Sequence, residues 1–192
     1  MATDELPLLV FAHADEAAAF ADVPHLVTGV GKINAATELT RALCAAEDDY
    51  AEVVVLGTAG VVADGPDAPE LNHVYRISEA VQHDYSLPSP RLALDAGSAD
   101  GERTAVIATG DVFVQNDAQR AHLASLGAAL VDMETYAYAV VCERLGVPLR
   151  VYKVPSDFAD SSTTGEEWDE IAETKSEQLR RFWDERVGEP GR

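Results

Sequence analysis

Short apolar runs recur along this chain, and most are followed by a segment with helical spacing. That alternation commits it to a largely parallel sheet with helices packed on its faces, because parallel neighbours need long crossovers and bury both sides. Strands are expected at Leu6–Ala12, Glu52–Leu56, Thr104–Ala108, Ala128–Val131 and Leu149–Val154, with shorter or less regular ones at His25–Val30 and His73–Gln82. Helices are expected at Asp15–Ala21, Ile33–Ala46 and Glu134–Leu145, the last closed by Gly146 with Pro148 beyond it. Another runs from a cap at Asn116 or Asp117 to Leu126, and Glu166–Arg186 is a docking helix with Trp168, Ile171, Leu179, Phe182 and Trp183 near one face. Pro88–Gly101 has loop composition, and no repeat or linker interrupts the pattern. The expected fold is a single-domain three-layer α/β/α sandwich over residues 1–192, built on a twisted, mostly parallel mixed sheet.

Sheets of this kind build sites at the carboxyl ends of their strands. Here those ends carry unusual residues. Glu134 and Asp157 follow two apolar runs that read as neighbouring strands, Phe113-Val114 follows Thr104–Ala108, and Gly57-Thr58-Ala59-Gly60 reads as a tight turn after Glu52–Leu56. Four segments converging on one crevice describe a small-molecule site.

Several functions are excluded first. With 14 basic against 34 acidic residues and a net charge of -20, the chain would be repelled by a nucleic-acid backbone. No apolar run approaches the roughly 18 residues of a membrane span, and the start of the chain is not that of a signal peptide. Cys44 and Cys142 fall on apolar helix faces, which suits buried thiols in a reducing, cytoplasmic setting. The five histidines lack metal-ligand spacing, so neither metal nor cofactor is expected. Gly29-Val30-Gly31-Lys32 fails as a phosphate loop, since Leu26 and Ile33 stand where Gly and Ser or Thr are needed, and Asn34 spoils a dinucleotide fingerprint. A tight strand-to-helix turn remains. No Gly-x-Ser-x-Gly nucleophile turn occurs, and His83-Asp84 reads as loop polarity.

Five segments carry a resemblance. Gly29-Val30-Gly31-Lys32-Ile33-Asn34-Ala35-Ala36, Gly57-Thr58-Ala59-Gly60, Thr109-Gly110-Asp111-Val112-Phe113-Val114, Val131-Asp132-Met133-Glu134 and Ser156-Asp157-Phe158-Ala159-Asp160 stand in one order across nearly the whole chain. In that order and spacing the chain resembles the purine nucleoside phosphorylase superfamily, and within it the methylthioadenosine/S-adenosylhomocysteine nucleosidase branch. The resemblance implies cleavage of a purine–ribose bond, in which the base leaves and the sugar becomes an oxocarbenium-like cation. Asp157 matches the general acid at purine N7, with Ser156 orienting it. A proton donor at neutral pH implies an aspartate pKa raised by about three units, about 4 kcal/mol of differential interaction, from burial and anionic neighbours such as Glu134. Glu134 matches the ribose ligand that accepts both hydroxyls, and Met133 packs under the sugar. Phe113 matches the aromatic on the base, Val114 reads the base edge through its backbone, and Thr58, Ala59 and Gly60 line base and ribose. Glu16 takes the place of the water-activating base, with Asp15 as its neighbour.

Each acid also has a plainer reading. Glu16 and Glu134 could be helix-dipole acids, and Asp157 a loop cap. The chain departs from the pattern between the first helix and Gly29, where strands of the ribose 5′ wall are missing. His13 stands where those nucleosidases tend to have Met, which favours a more polar 5′ group. Pro155 precedes Ser156 and removes a backbone donor there. The phosphorylases of the superfamily carry an Arg where Val55 stands and a basic phosphate loop near the N-terminus, where this chain has no Arg. Water is therefore the expected nucleophile. The resemblance implies a purine nucleoside as partner and a homodimer whose partner loop closes the 5′ side. Phosphate-dependent cleavage, a futalosine-type hydrolase and an idle nucleoside binder remain as alternatives.

Overall fold

The computed structural model describes residues 7–46, 50–94, 101–160 and 165–187, with side chains in the last segment from Ile171 onward. Leu6, the Trp168 side chain and part of the Pro88–Gly101 loop therefore lie outside what is described. Eight strands form one sheet: β1 (Leu8–Phe11), β2 (His25–Val27), β3 (Val53–Val61), β4 (Tyr75–Gln82), β5 (Leu92–Ala93), β6 (Thr104–Thr109), β7 (Leu130–Asp132) and β8 (Leu149–Asp157). The helices are α1 (Lys32–Ala45), α2 (Asp117–Ser125), α3 (Thr135–Leu145) and α4 (Gly165–Arg186). The mixed α/β class expected from the alternation is what the chain adopts.

The sheet contains two sets of strands running in opposite directions. β1 pairs in parallel with β2 and β3, and β3 with β8. β6 pairs in parallel with β4 and β7. The sets meet at two antiparallel seams, β3 with β7 and β4 with β8. Together these pairings close a ring β3-β7-β6-β4-β8, to which β1, β2 and β5 attach. β7 and β8 are therefore not neighbours: β3 lies between them and pairs with both.

Every residue of β3 is buried, and its side chains divide by the two-residue period of a strand. Val53 and Val55 pack with Val10, Leu39, Ile107 and Tyr138 under α1 and α3, whereas Val54 and Leu56 pack with Phe11, Phe20, Tyr152, Leu179 and Trp183 under α4. At about 1.5–3 kcal/mol per fully buried large apolar side chain, this two-sided core is the main stabilising term. Helix ends follow their signals. Asn116 Oδ1 accepts the Gln119 N–H at 2.9 Å and starts α2, and Gly146 ends α3 at φ 71, a left-handed conformation that glycine adopts without a Cβ clash.

Four local expectations are corrected. Asp15–Ala21 is not an α-helix; only Ala18–Phe20 forms a 3-10 turn. So short a segment cannot repay helix nucleation, and its polar groups are taken by α4 instead, where Ser176 Oγ donates to Glu16 O and accepts from Ala19 N. Gly57-Thr58-Ala59-Gly60 is not a turn but the second half of β3. Its small residues are required by approach, since a Cβ on Gly60 would lie 2.9 Å from Ala159 Cβ. β8 likewise runs on through Ser156 and Asp157. Cys44 is exposed, because α1 buries chiefly Ala35 and Leu39, while Cys142 is buried as expected.

Candidate active site

One cavity of about 290 Å³ gathers every residue expected at the site: His13, Glu16, Thr58, Ala59, Gly60, Phe113, Val114, Met133, Glu134, Ser156 and Asp157. They come from the loop after β1, the end of β3, the loop after β6, the β7–α3 junction and the end of β8. Ala12, Val30, Val112, Val131, Asp132 and Ala159 complete the lining. The antiparallel seam between β3 and β7 explains the convergence: Gly60 lies opposite Val131, so the carboxyl end of β7 turns back beside Thr58 and Ala59.

Glu16 is 3% exposed, and both its oxygens are engaged. Oε1 accepts the Thr58 N–H at 2.7 Å and the Thr58 hydroxyl at 2.8 Å; Oε2 accepts the His13 N–H at 3.2 Å. With no α-helix at this point, the helix-dipole reading of Glu16 falls. The lone pairs left on Oε2 form the basic face of this carboxylate.

Glu134 stands at the N-cap position of α3, yet its side chain makes no capping bond. Oε1 instead accepts the Gly31 N–H at 2.7 Å from the loop ahead of α1. Gly29 and Gly31 hold φ 86 and 96, and this left-handed turn aims that N–H at the cavity. Burial first, then the negative charge of Asp132, pushes the Glu134 carboxyl up to about 8, against the pull of Lys153 and the Gly31 N–H. Two of these neighbours were missed in the sequence. Lys153 is 1% exposed with Nζ 3.0 Å from Asp132 Oδ2. Burial opposes its charge, but Asp132, Glu16 and Glu134 outweigh that cost and hold the ammonium above the ordinary lysine range. A lone lysine in the buried run Val151-Tyr152-Lys153-Val154 was the available signal, since an unpaired charge there would be prohibitive.

Ser156 and Asp157 are adjacent in β8, and adjacent strand residues normally face opposite ways. A bulge changes this. Ala59 pairs with Pro155 and Gly60 with Asp157, so Ser156 is an extra residue and both side chains reach the cavity. Asp157 Oδ1 accepts the Ala159 N–H at 2.7 Å, a loop-capping bond of the kind its plainer reading supposed. Ala159 holds φ 50, left-handed for a non-glycine residue. Asp157 Oδ2 lies 2.6 Å from Ser156 Oγ, which is also 3.3 Å from Ala59 O. One hydroxyl proton serves two acceptors. The serine can donate to an ionised Asp157, or donate to Ala59 O and accept from a protonated one.

The apolar lining is uneven. Val114 is buried, but Val30, Val112 and Phe113 are 40%, 40% and 42% exposed, so the cavity opens on an apolar rim. Among the described residues four carboxylates line it, Glu16, Asp132, Glu134 and Asp157, with no Lys or Arg. Among the described residues no cluster of His, Cys, Asp and Glu has a metal-holding arrangement, and no helix is long and apolar enough to cross a membrane.

This mixed sheet, with acids gathered from five segments into one cavity, defines a class that comparison with known proteins identifies. The sequence profile of the phosphorylase superfamily matches residues 22–187, and the chain belongs to that family. It is 30% identical over 187 residues to a 5′-methylthioadenosine/S-adenosylhomocysteine nucleosidase of a Marinomonas species, covering 81% of this chain and 77% of that protein. It is 36% identical over 85 residues to the aminodeoxyfutalosine nucleosidase of Helicobacter pylori; that match spans 44% of this chain but only 36% of the relative. The fold is shared with a Helicobacter pylori 5′-methylthioadenosine/S-adenosylhomocysteine nucleosidase carrying butyl-thio-DADMe-Immucillin-A, at a TM-score of 0.77 and 21% identity over 95% of this chain and 100% of that one. The futalosine hydrolase of the same organism matches at 0.74 and 19%, over 94% and 98%.

Proposed function

We propose that this protein is a purine nucleosidase that hydrolyses the N-glycosidic bond of a 5′-substituted adenosine such as methylthioadenosine or S-adenosylhomocysteine. One observation carries the reading: Glu16, Glu134 and Asp157 face a single cavity whose lining, among the described residues, holds no Lys or Arg. Each acid then has a distinct task. Asp157 protonates or hydrogen-bonds N7 of the departing base, and the Ser156 hydroxyl reorients to follow its change of charge. Glu134 accepts the ribose hydroxyls and stabilises the cation that develops on the sugar. Glu16 takes a proton from the attacking water at Oε2, while Thr58 holds Oε1 fixed. Phe113 and Met133 supply the surfaces on which base and sugar rest.

The acidic lining also selects the nucleophile. A phosphate dianion entering a cavity lined by Glu16, Asp132, Glu134 and Asp157 meets repulsion, since the Lys153 ammonium beside them is already paired with Asp132, whereas water does not. The test is a panel of methylthioadenosine, S-adenosylhomocysteine, deoxyadenosine and aminodeoxyfutalosine, assayed for free base with and without phosphate. Phosphate-independent release of base is expected; release that requires phosphate and yields ribose 1-phosphate overturns the reading. Aminodeoxyfutalosine belongs in the panel because one relative is named for it and because His13 gives the lining a polar group beyond Glu16.

The proposal extends to assembly and setting. The exposed Val30, Val112 and Phe113 at the mouth support a homodimer in which the partner covers that rim. Light scattering tests it: an active monodisperse monomer removes this part. Two free cysteines suit a cytoplasmic enzyme of purine salvage.

A further inference from the structure

Asp132 of the cavity lining makes an ion pair with the buried Lys153 that the reaction outlined above does not use. Asp132 is buried and accepts hydrogen bonds from three elements: Thr109 Oγ1 of β6 at 2.7 Å, Thr135 N at 3.1 Å and the Thr135 hydroxyl at the start of α3, and Lys153 Nζ of β8 at 3.0 Å. Lys153 is not committed to Asp132 by geometry alone. A Cβ placed on Gly57 would sit 3.1 Å from both Lys153 Nζ and Glu16 Oε1, so ammonium and carboxylate face each other across that glycine. Glu134 is within electrostatic reach of the same ammonium. One buried cation thus has three carboxylates to choose from, and two of them are the acids assigned to the water and the ribose.

We propose that Asp132 is a positioning residue: by engaging the Lys153 ammonium and anchoring the start of α3, it keeps that cation off Glu134 and Glu16 and leaves both free for substrate. The physical reason is that a buried ammonium must pair with something. Where it pairs decides which carboxylates stay open. This rests on the nucleosidase reading for the tasks of Glu134 and Glu16, but the arrangement of charge is a property of the fold. The groups facing Glu134 are Asp132 from β7, Lys153 from β8, Glu16 from the loop after β1, the Tyr138 phenol from α3 and the Gly31 N–H ahead of α1.

The two members of the pair act on Glu134 with opposite sign, which makes opposite outcomes for their removal. Asp132→Asn deletes a negative neighbour and releases the ammonium; the rising limb of the kcat/KM–pH profile, set by ionisation of Glu134 in the free enzyme, moves to lower pH by about one unit or more, and kcat/KM at neutral pH falls about tenfold as Lys153 ties up an acid. Lys153→Met leaves Asp132 uncompensated and moves the same limb to higher pH, so that activity lost at pH 7 returns in part at pH 9. In the double variant Asp132→Asn/Lys153→Met the misplaced cation is gone, and turnover recovers relative to Asp132→Asn alone; a purely structural role for Asp132 gives no such rescue. The pH dependence of unfolding reads the same opposite displacements without any turnover, and Lys153→Met alone suffices if Asp132→Asn does not fold. Limbs that stay in place or move together, in both measurements, overturn the proposal. A wild-type protein that releases no base from any nucleoside of the panel overturns the nucleosidase reading instead, and leaves the unfolding measurements to decide this one.

Discussion

Replacing Glu134 by Gln removes a charge that the folded protein holds at a cost. Its carboxyl ionises near pH 4.5 in a solvated chain and is pushed up to about 8 by burial and by Asp132 in the fold. Between these values the native state keeps a proton that the unfolded state has released, so stability falls as pH rises through that window. At about 1.4 kcal/mol per pH unit the full displacement is a little under 5 kcal/mol. The Lys153 ammonium shares its attraction between Glu134 and Asp132, so about half, roughly 2–3 kcal/mol, is expected for this residue alone. Glutamine keeps an oxygen for the Gly31 N–H, 2.7 Å away in the parent protein, and carries no charge to bury. The assay is urea unfolding of both proteins at pH 4.5, 7 and 9. The curves should nearly coincide at the lowest pH and separate progressively, with Glu134→Gln the more stable above pH 8. A difference that does not change with pH, or a variant less stable than the parent at pH 9, would refute the placement of this carboxyl in a desolvated, anion-rich site.

Other outcomes follow from the same geometry. Asp157→Asn should lower kcat by a hundredfold or more while nucleoside affinity, read by calorimetry, changes little, because Asn can hydrogen-bond N7 but not protonate it. Glu16→Gln keeps Thr58 on its oxygen and loses the basic Oε2; single-turnover assays should show the chemical step slowed with KM nearly unchanged. Gly60→Ala puts a methyl 2.9 Å from Ala159 Cβ and 3.2 Å from Asp157 Oδ1, so about 1–3 kcal/mol of stability should be lost, measured by denaturation, together with most of the activity. Phe113→Ala should raise KM without lowering the melting temperature, since the ring is 42% exposed and holds nothing in the core.

The parts of this structure that were legible in the sequence are those fixed by local chemistry. α1, α2 and α3 fall within a residue or two of expectation because Gly31, Asn116 and Gly146 mark their ends, and β6 because its apolar run has no competing pattern. The convergence of four segments was legible because each follows an apolar strand, but Glu16 was placed only through the family resemblance; no periodicity puts it beside Thr58. What escaped was set by distant partners. Gly57-Thr58-Ala59-Gly60 has turn composition, yet β8 and β7 pair with it and draw it into the sheet. The bulge at Ser156 leaves no trace in a segment that reads as loop. Lys153 was passed over because a lysine in an apolar run breaks a pattern without naming the aspartate that satisfies it.

The segment carrying Glu16 has only a short 3-10 turn of its own, and its backbone is tied to α4 through Ser176, which takes the Ala19 N–H and gives its hydroxyl to Glu16 O. Those contacts bridge 157 and 160 residues of chain. A contact of that span closes late, since loop entropy must be overcome before it gives any return. During synthesis the sheet's strands are all made before α4 emerges. The enzyme's proposed base is thus fastened into place by a helix made after every strand of the sheet, and maturation of the site is a docking event of α4 rather than a property of the sheet that surrounds it.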